Sequence, residues 1–288
     1  MKIGIVGLGY WGNNIHRSLR LMGYDDTKTC DPKVCGVDFS NYEKLSEDNI
    51  THVFVATPAS SHNNICRHFL QKGINVFCEK PLSLSLETCN TLYSIAEENN
   101  CNLFVDWIYT FNAVVRSIKS FILNSDKTPK NIIINRLNKG PSREDVSARW
   151  DLASHDVAVS LYLLGNNSGT KWMDFNRDTN SGFYWDSVTG ILSYDQTTVQ
   201  INCSWAYDRK VRDMIFEFED GFIKWDELAQ TIESTVIEYD TDLLGGEVLE
   251  AESPLVTAIE TFINKSSFNY QFQKQITLDT TRILSYEC

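Results

Sequence analysis

Three glycines close to the N-terminus have the residue type and spacing of a phosphate-binding turn. Gly7, Gly9 and Gly12 form the pattern G-x-G-x-x-G directly after an apolar strand, with Tyr10 and Trp11 between the last two. The first two glycines allow a close approach of backbone N–H groups to a pyrophosphate, and the third allows helix and strand to pack. The start of a helix also favours negative charge. The pattern therefore predicts a dinucleotide site, with an ordinary structural turn as the alternative.

An acidic residue follows the glycines at the distance that a dinucleotide site requires. Asp31 lies 19 residues after Gly12, at the end of the second predicted strand. A carboxylate there accepts hydrogen bonds from the ribose 2′-hydroxyl of NAD and repels the 2′-phosphate of NADP. We therefore expect NAD as the cofactor rather than NADP. The alternative is that Asp31 only forms the turn before Pro32.

Two more predicted strands end in residues that could face a ligand. Thr57 and Pro58 follow one of them, and Glu79 and Lys80 follow the next. The carboxyl ends of parallel strands face the ligand crevice, so all four residues are candidates for contact with the cofactor. Lys80 could also donate to a substrate hydroxyl and stabilise developing negative charge. A turn residue at Thr57 and a surface lysine at Lys80 are the alternatives.

A carboxylate and an imidazole lie four residues apart at the start of a helix in the second half. At this spacing Asp151 and His155 share one helix face. Imidazole titrates near neutral pH, so His155 can take the proton of an alcohol while Asp151 orients it or binds a second hydroxyl. By spacing alone, an ordinary surface pair is the better interpretation. For His62, at a helix start in the first half, we expect a solvated or capping role.

The apolar pattern indicates two kinds of scaffold for these residues. Up to about residue 120, short apolar strands alternate with helices, which implies a parallel sheet covered by helices. Later segments read as hairpins, with a strong turn signal at Asp220-Gly221. The predicted fold is α/β, with an NAD-binding Rossmann domain over residues 1–120. We expect residues 121–288 to form an α+β domain that mediates oligomerisation, with an open, mainly antiparallel sheet, and the C-terminal helix can pack back on the first domain.

Composition and charge exclude several classes of protein. The 288 residues are 42% hydrophobic and 22% charged. Their net charge is −12, and the sequence contains no block of basic residues. Nucleic acids and anionic membranes are therefore poor partners, and no apolar run approaches the ~20 residues that span a bilayer. The eight cysteines contain no C-x-x-C pair, and no metal-ligand spacing is present. We expect reduced thiols, no metal and a cytoplasmic location.

The order of these motifs resembles that of the glucose–fructose oxidoreductase/inositol dehydrogenase (Gfo/Idh/MocA) family. The shared motifs are Gly-Leu-Gly-Tyr-Trp-Gly, Ala-Thr-Pro, Glu-Lys-Pro and Asp-x-x-x-His. Segments 135–145 and 150–156 are similar to the R-L-N-x-G…R-x-D-V…W-D-L-A-P-H-D signature of members that oxidise nucleotide-linked amino sugars. Segment 105–112 is similar to the family stretch V-(G/D)-H-T-F-L-Y-N. The resemblance is closest to the UDP-N-acetyl-sugar and uronate 3-dehydrogenases.

The resemblance implies catalytic roles for three residues. Lys80 matches the family lysine that contacts both the nicotinamide and the reacting hydroxyl. His155 matches the proposed acid/base, and Asp151 matches its polar neighbour. The implied reaction moves hydride between NAD and a secondary alcohol carbon of a sugar, at C3 of a UDP-N-acetyl sugar or its uronate.

The resemblance also implies that residues 121–288 bind the substrate, partly through one loop. It does not decide which sugar the substrate is. Arg136, Asn138 and Arg143 match residues near the substrate, where an arginine suits a uronate carboxylate or a phosphate because it can bind either bidentately. Oxidation of inositol or a free sugar is one alternative. An alternative from another class is a non-catalytic NAD-binding sensor or regulator.

Alternating apolar residues in the second half predict a sheet face that another copy of the chain covers. Left open, such a face would be a large apolar patch on a monomer. We therefore expect a homodimer or homotetramer through the C-terminal sheet, with a small sugar or nucleotide sugar as the other partner. The residues assigned to this face are Ile191, Val199, Ile201, Trp205, Ile215 and Phe218.

Overall fold

The structure, a computed structural model, describes residues 1–140, 146–175, 186–236, 253–264 and 269–286. The strands are β1 Ile3–Val6, β2 Lys28–Cys30, β3 His52–Val55, β4 Asn75–Cys78, β5 Leu103–Val105, β6 Asn131–Lys139, β7 Gly169–Phe175, β8 Ser187–Ser193, β9 Thr198–Ser204, β10 Ala206–Phe218, β11 Gly221–Asp226 and β12 Thr231–Ser234. The helices are α1 Tyr10–Leu21, α2 Tyr42–Leu45, α3 Ala59–Leu70, α4 Leu86–Glu98, α5 Ala113–Asn124, α6 Ser154–Leu164, α7 Pro254–Asn264 and α8 Tyr270–Leu284. A 3-10 turn, Ile108–Phe111, precedes α5, and a π-helical turn, Arg149–Ala153, precedes α6.

The chain divides into two units. The first comprises Met1–Trp107 with Ser253–Thr281, and the second comprises Ile108–Glu252 with Arg282–Cys288. The division therefore falls after Trp107, whereas the sequence pattern placed a domain boundary at residue 120. The reason is α5, because its buried Val114, Val115 and Ile118 belong to the hydrophobic core of the second unit.

A five-stranded parallel sheet in the order β2-β1-β3-β4-β5 forms the centre of the first unit. Its strands are short apolar runs buried on both faces, as parallel strands between helices must be. Val53, Phe54 and Val55 of β3, for example, have no exposed surface. This is the predicted Rossmann arrangement. The strand order reverses between β1 and β3, and ligands of doubly wound sheets bind beyond the carboxyl ends of strands at such a point.

Helix α7 contributes an aromatic side chain to the first unit. The ring of Phe262 contacts the rings of Phe54, Phe77 and Phe104, with centroid separations of 5.4, 5.6 and 5.8 Å. Such aromatic pairs add about 0.5–1.5 kcal/mol beyond the burial of area. Through these contacts, the segment that begins at residue 253 packs against the sheet of the first unit.

A seven-stranded sheet in the order β12-β11-β10-β6-β9-β8-β7 forms the second unit. The β6–β9 pair is parallel and the other pairs are antiparallel, so the predicted mainly antiparallel sheet is confirmed. The predicted hairpin joins β10 to β11, where Phe218 pairs with Gly221 across a two-residue turn.

One face of this sheet packs against α5 and α6, which changes the assignment of several apolar residues. Three residues predicted for the open face belong to the covered core: Val199, Ile201 and Phe218. Their assignment was wrong, and Trp205, just after β9, is also buried. Ile191 and Ile215 alternate with core residues, are only partly buried, and lie on the other face with Ile133. The error follows from the two-residue period of a strand, since residues one position apart point to opposite faces.

Candidate functional site

The glycine turn connects β1 to α1. Gly7 has a φ of +92°, and a Cβ on it would lie 2.5 Å from the carbonyl oxygen of Ala56. A Cβ on Gly12 would lie 1.8 Å from the carbonyl oxygen of Gly7. The fold itself therefore requires these two glycines. A Cβ on Gly9, by contrast, would meet no atom within 4 Å, so this glycine leaves space at the start of α1.

The first turn of α1 is suited to an anion. Gly9 is the N-cap and has no side chain that could accept from the free N–H groups of the first turn. The helix dipole adds partial positive charge at this end. Tyr10 and Trp11 lie in this turn, with their rings edge to face at a centroid separation of 5.6 Å, and Tyr10 is largely exposed.

Asp31 follows β2 and contacts the glycine turn. Its carboxylate accepts from the backbone N–H of Leu8 at 2.9 Å and from that of Lys33 at 2.8 Å. The bond from Lys33 is the turn-forming role that the sequence left as an alternative. A carboxylate has about four acceptor positions. Two hydrogen bonds therefore leave capacity for a ribose hydroxyl, and the two roles of Asp31 are compatible.

The ends of β3 and β4 position the other candidates of the first unit. Thr57 and Pro58 follow β3 directly after Ala56, and Glu79 and Lys80 follow β4. The backbone N–H of Glu79 donates to the carbonyl oxygen of Val55 at 2.9 Å, so the two segments leave the sheet side by side. Because all five strands are parallel, these residues lie at the same edge of the sheet as the glycine turn and Asp31.

His62 is buried, with 1% of its surface exposed, which corrects the expectation of a solvated or capping residue. Its Nδ1 lies 2.8 Å from the carbonyl oxygen of Pro81, and its Nε2 lies 2.8 Å from that of Thr57. Both ring nitrogens of His62 are therefore within hydrogen-bonding distance of a backbone carbonyl oxygen. His62 therefore connects the loop that carries Thr57 to the loop that carries Lys80.

A second buried carboxyl group accompanies Glu79. The backbone N–H of Asp106, just after β5, donates to the carbonyl oxygen of Cys78 at 2.9 Å, which places Asp106 beside the end of β4. Burial raises the pKa of Asp106 well above its ordinary value, the Glu79 carboxylate raises it further, and the Lys80 ammonium group opposes them. The neutral form of Asp106 is therefore favoured. No chemical role was predicted for this residue.

Asp151 and His155 lie in one continuous helical segment of the second unit. Asp151 belongs to the π-helical turn, and His155 is the second residue of α6. The wider π turn replaces the regular α-helical repeat that the sequence suggested between them. His155 is partly buried, and its ring meets the ring of Tyr109 edge to face, with a centroid separation of 5.2 Å.

Arg136 is 4% exposed and bound by other residues of the second unit. Its Nε and Nη2 donate to the Asp156 carboxylate at distances from 2.7 to 3.0 Å, and its Nη1 donates to the Tyr109 hydroxyl at 2.8 Å. Burial opposes the charge of the guanidinium, but the Asp156 carboxylate holds the pKa of Arg136 above its ordinary value. These contacts do not favour the expected role of Arg136 as the ligand of a substrate carboxylate or phosphate.

Asn138 and Arg143 are the other two residues of the expected substrate loop. Asn138 Oδ1 accepts from Nη2 of Arg212 at 2.7 Å, and its Nδ2 donates to the carbonyl oxygen of Gly140 at 2.8 Å. Arg143 lies outside the described residues. For both described members, Arg136 and Asn138, the structure thus shows hydrogen bonds within the second unit.

We also searched the described residues for metal-binding side chains and for membrane-spanning helices. The part of the chain that the structure describes contains no group of three or more His, Cys, Asp or Glu side chains that could hold a metal ion. Among the described helices, none is both long enough and apolar enough to cross a membrane. The described cysteines are buried, except Cys35.

Comparison with known proteins identifies the leading segment of the first unit. Residues 1–107 match the Gfo/Idh/MocA model, whose description is "Oxidoreductase family, NAD-binding Rossmann fold". This segment is similar to the NAD-binding Rossmann domains of that family. The match ends at Trp107, where the chain passes from the first unit to the second.

Curated relatives match a longer stretch of the chain than the family model does. An uncharacterized oxidoreductase of Streptococcus pneumoniae is 33% identical over 172 residues, which is 56% of this chain and 47% of the relative. The scyllo-inositol 2-dehydrogenase (NADP(+)) IolW of Bacillus subtilis is 28% identical over 188 residues, which is 57% of this chain and 52% of the relative. The chain thus spans about half the length of these curated relatives.

A solved structure resembles the chain over nearly its whole length. The WlbA dehydrogenase of Bordetella pertussis, in complex with NADH and UDP-GlcNAcA, has a TM-score of 0.80 and 17% identity, covering 97% of this chain and 92% of that chain. At this identity the likeness shows the fold alone. The likeness in fold therefore continues beyond residues 1–107 into the residues of the second unit.

Proposed function

We propose that the chain is an NAD-dependent dehydrogenase that oxidises a secondary hydroxyl group of a sugar. The observation that carries this proposal is that Gly9, Asp31 and Lys80 all follow strand ends at one edge of the parallel sheet. In a Gfo/Idh/MocA Rossmann domain, these groups supply a pyrophosphate site, a ribose acceptor and a donor for a hydroxyl oxygen.

The residues of this edge fit NAD. The free N–H groups at the start of α1 bind the pyrophosphate, Gly9 leaves the space it needs, and Asp31 accepts from the adenosine ribose. When bound, NAD supplies the acceptor for a hydride in this class of reaction. The residues assigned to the cofactor are Gly7, Gly9, Tyr10, Trp11, Gly12, Asp31, Thr57, Pro58, Glu79 and Lys80.

Three side chains carry the chemistry at the substrate. Lys80 donates a hydrogen bond to the reacting hydroxyl oxygen and stabilises the negative charge that grows on it. His155 accepts the hydroxyl proton as the carbon gives up its hydride and the ketone forms. Asp151 hydrogen-bonds to a neighbouring hydroxyl or orients His155. The presence of all three argues against a non-catalytic NAD-binding sensor, which would have no evident need of them.

The substrate we propose is a UDP-linked N-acetyl sugar or its uronate, oxidised at C3. Support comes from the motif at 135–156 and from the fold shared with WlbA, whose structure contains UDP-GlcNAcA. Arg136 is not part of the proposed substrate site, because Asp156 neutralises its charge. Asn138 and Arg143 stay candidates for contact with the nucleotide sugar.

Inositol or a free sugar is the second candidate substrate. Two observations favour it: the relative IolW acts on scyllo-inositol, and the Arg136 guanidinium is bound by Asp156. A substrate without a carboxylate or a phosphate would have no need of an arginine in the loop.

A thermal-shift screen distinguishes these candidates. The folded protein is stabilised by RT ln(1 + [L]/Kd), so a ligand at about 100 times its Kd adds about 2.7 kcal/mol. NAD, NADP, UDP-N-acetylglucosamine, its uronate and scyllo-inositol are tested alone and in pairs. We expect a shift with NAD that grows with a UDP sugar, whereas growth with inositol alone would favour the second candidate. If no dinucleotide shifts the melting temperature of cofactor-free protein, the dehydrogenase proposal is wrong.

Catalysis is tested with matched variants in an assay for NADH formation. We expect Lys80→Ala and His155→Ala each to lose at least about a hundredfold in turnover, the usual contribution of a positioned acid or base. Lys72→Ala and His16→Ala make the same changes at positions outside the proposed site. Unchanged turnover in the first two variants would contradict the catalytic assignment.

We also propose that copies of the chain associate through the seven-stranded sheet, as a homodimer or homotetramer in the cytoplasm. The support for association is the partly buried row that Ile133 and Ile215 form across paired strands on the face opposite α5 and α6. The location is inferred from the sequence pattern alone.

A further inference from the structure

The ring of Tyr109 is a neighbour of His155. Tyr109 lies in the 3-10 turn before α5, and its ring meets the imidazole of His155 at a centroid separation of 5.2 Å and an interplanar angle of 67°. A side chain in edge-to-face contact limits how far an imidazole can rotate about its side-chain bonds. The orientation of Tyr109 therefore bears directly on that of His155.

The Tyr109 hydroxyl is held from two sides. Its single O–H group is shared between the two carboxylate oxygens of Glu227, at 3.0 and 3.1 Å, and its oxygen accepts from Nη1 of Arg136 at 2.8 Å. The Arg136 guanidinium also lies 4.3 Å from the centre of the Tyr109 ring. Both hydrogen bonds involve a charged group, and such bonds are shorter and stronger than neutral ones. The phenol ring thus has one favoured position.

Arg136 is fixed in turn by Asp156, the residue after His155. Asp156 has no exposed surface, and its two carboxylate oxygens accept from Nε and Nη2 of Arg136. The pair joins β6 to the first turn of α6, the turn that carries His155. The backbone beneath the imidazole and the ring beside it are therefore held by one connected group of side chains.

We propose that Tyr109 is a positioning residue for His155, and that Arg136, Asp156 and Glu227 hold Tyr109 in place. This inference rests on the proposed function in one respect, namely that His155 is the proton acceptor. A misplacement of about 1 Å at a reacting group can cost about a hundredfold in rate, so a base benefits from neighbours with fixed positions. The inference gives Arg136 a role within the second unit in place of substrate recognition.

Nuclear magnetic resonance tests the positioning without any substrate. The protein is labelled at its five histidines, and His155→Gln assigns the His155 ring signals. We expect Tyr109→Leu to shift these signals strongly, because the adjacent aromatic ring is lost, and Tyr109→Phe to shift them less while broadening them. The matched control is Tyr162→Phe, on α6 beneath the Lys119 ammonium group, which should leave them unchanged. If the His155 signals of the Tyr109 variants equal those of the control, Tyr109 does not position His155.

Variants at Glu227 keep the test decisive if Tyr109→Leu fails to fold. Glu227→Gln retains an amide oxygen that can accept from the Tyr109 hydroxyl, whereas Glu227→Ala removes the acceptor. We expect the His155 signals of Glu227→Gln to stay near those of the unmodified protein and those of Glu227→Ala to move. An equal effect of both variants would overturn the assignment of Glu227 as the group that holds Tyr109.

A double-mutant cycle then connects positioning to turnover. We expect Tyr109→Phe to lower kcat by about 10- to 100-fold, with little change in the Kd of NAD. In the His155→Ala background the same substitution should cost nothing further, because the group it positions is gone. Additive losses would overturn the inference. A wild-type protein that forms no NADH would refute the proposed function, while the histidine signals would still decide whether Tyr109 positions His155.

Discussion

At the scale of single residues, we propose that Asp31 makes the site prefer NAD to NADP. Its carboxylate stands beside the glycine turn, and a 2′-phosphate there would meet a like charge. We expect Asp31→Asn to lower the ratio of the Kd of NADP to the Kd of NAD by at least about tenfold, since unit charges near a protein surface at about 4 Å interact by about 4 kcal/mol. The Kd values are measured by titration of protein fluorescence.

The control for Asp31 is a carboxylate of equal charge at an exposed position. Asp25→Asn changes the net charge of the protein by the same amount, and its side chain is 77% exposed. We expect no change in the ratio of Kd values for this variant. If both substitutions change the ratio equally, the effect belongs to the net charge and Asp31 does not contact the ribose.

Asp106 predicts a dependence of stability on pH. Burial raises its pKa in the folded state above the unfolded value of 3.8. The folded protein therefore prefers the neutral carboxyl, and it loses stability as the pH rises from the unfolded pKa towards the folded pKa. We expect Asp106→Asn to match the wild-type melting temperature near about pH 4 and to exceed it increasingly towards neutral pH.

The expected gain in this variant is about 1.4 kcal/mol for each pH unit over which the wild-type protein is destabilised. Melting temperatures at a series of pH values measure it. Asp208→Asn, at an exposed position in β10, is the control and should show a constant difference from wild type. A constant difference for Asp106→Asn as well would mean that Asp106 ionises in the folded protein as it does in the unfolded chain.

At the scale of elements, the Arg136–Asp156 pair joins α6 to β6. Both side chains are nearly or wholly buried, so removal of one leaves an uncompensated charge. We expect Asp156→Ala to lower the free energy of unfolding by about 3–5 kcal/mol. Replacing both partners with apolar residues, as Arg136→Met with Asp156→Leu, should restore most of this loss, because neither partner then leaves the other's charge buried without compensation.

Urea denaturation measures these differences, and an exposed ion pair provides the control. Lys130 and Glu219 approach to 3.7 Å with side chains 61% and 85% exposed, so Glu219→Ala should have no measurable effect. If the double variant at Arg136 and Asp156 is less stable than Asp156→Ala alone, the pair contributes more than charge compensation. The same double variant should have a more mobile His155 ring than wild type, because Tyr109 has lost the hydrogen bond from Arg136.

The sequence predicts the elements of this fold well because their signals are local. A glycine turn after an apolar strand, and strand ends followed by Thr57 or Lys80, are determined by residues that are neighbours in the chain. Periodicity also gives the parallel and antiparallel sheets. Periodicity did not decide which face of the second sheet each apolar residue lies on, because both faces carry apolar residues. Ile215 lies on one face and its neighbour Phe216 on the other.

Contacts between distant residues explain what the sequence did not predict. His62 and Pro81 are 19 positions apart and meet only because β3 and β4 are neighbours in the sheet. Arg136 looked like a substrate ligand by motif, yet its nearest anion, Asp156, is 20 positions away on another element. No local pattern distinguishes an arginine that faces a ligand from one that faces a buried carboxylate.

At the scale of the whole molecule, the face of the seven-stranded sheet opposite α5 and α6 predicts association. Ile133 pairs with Ile215 on this face, and both are only partly buried. We expect light scattering to give two or four times the chain mass of 32.9 kDa. Ile133→Lys should shift the mass to that of the monomer, because a charge would then be buried at the interface without a partner.

The location of the substitution distinguishes this interface from general effects on solubility. Leu123→Lys introduces the same charge on α5, which packs against the other face of the sheet and where the leucine is 68% exposed, and it should leave the mass unchanged. A lysine at position 133 stays near water in the monomer, so its effect on the melting temperature should depend on protein concentration. If Ile133→Lys leaves the mass unchanged, or wild type is itself a monomer, the chain does not associate through this face.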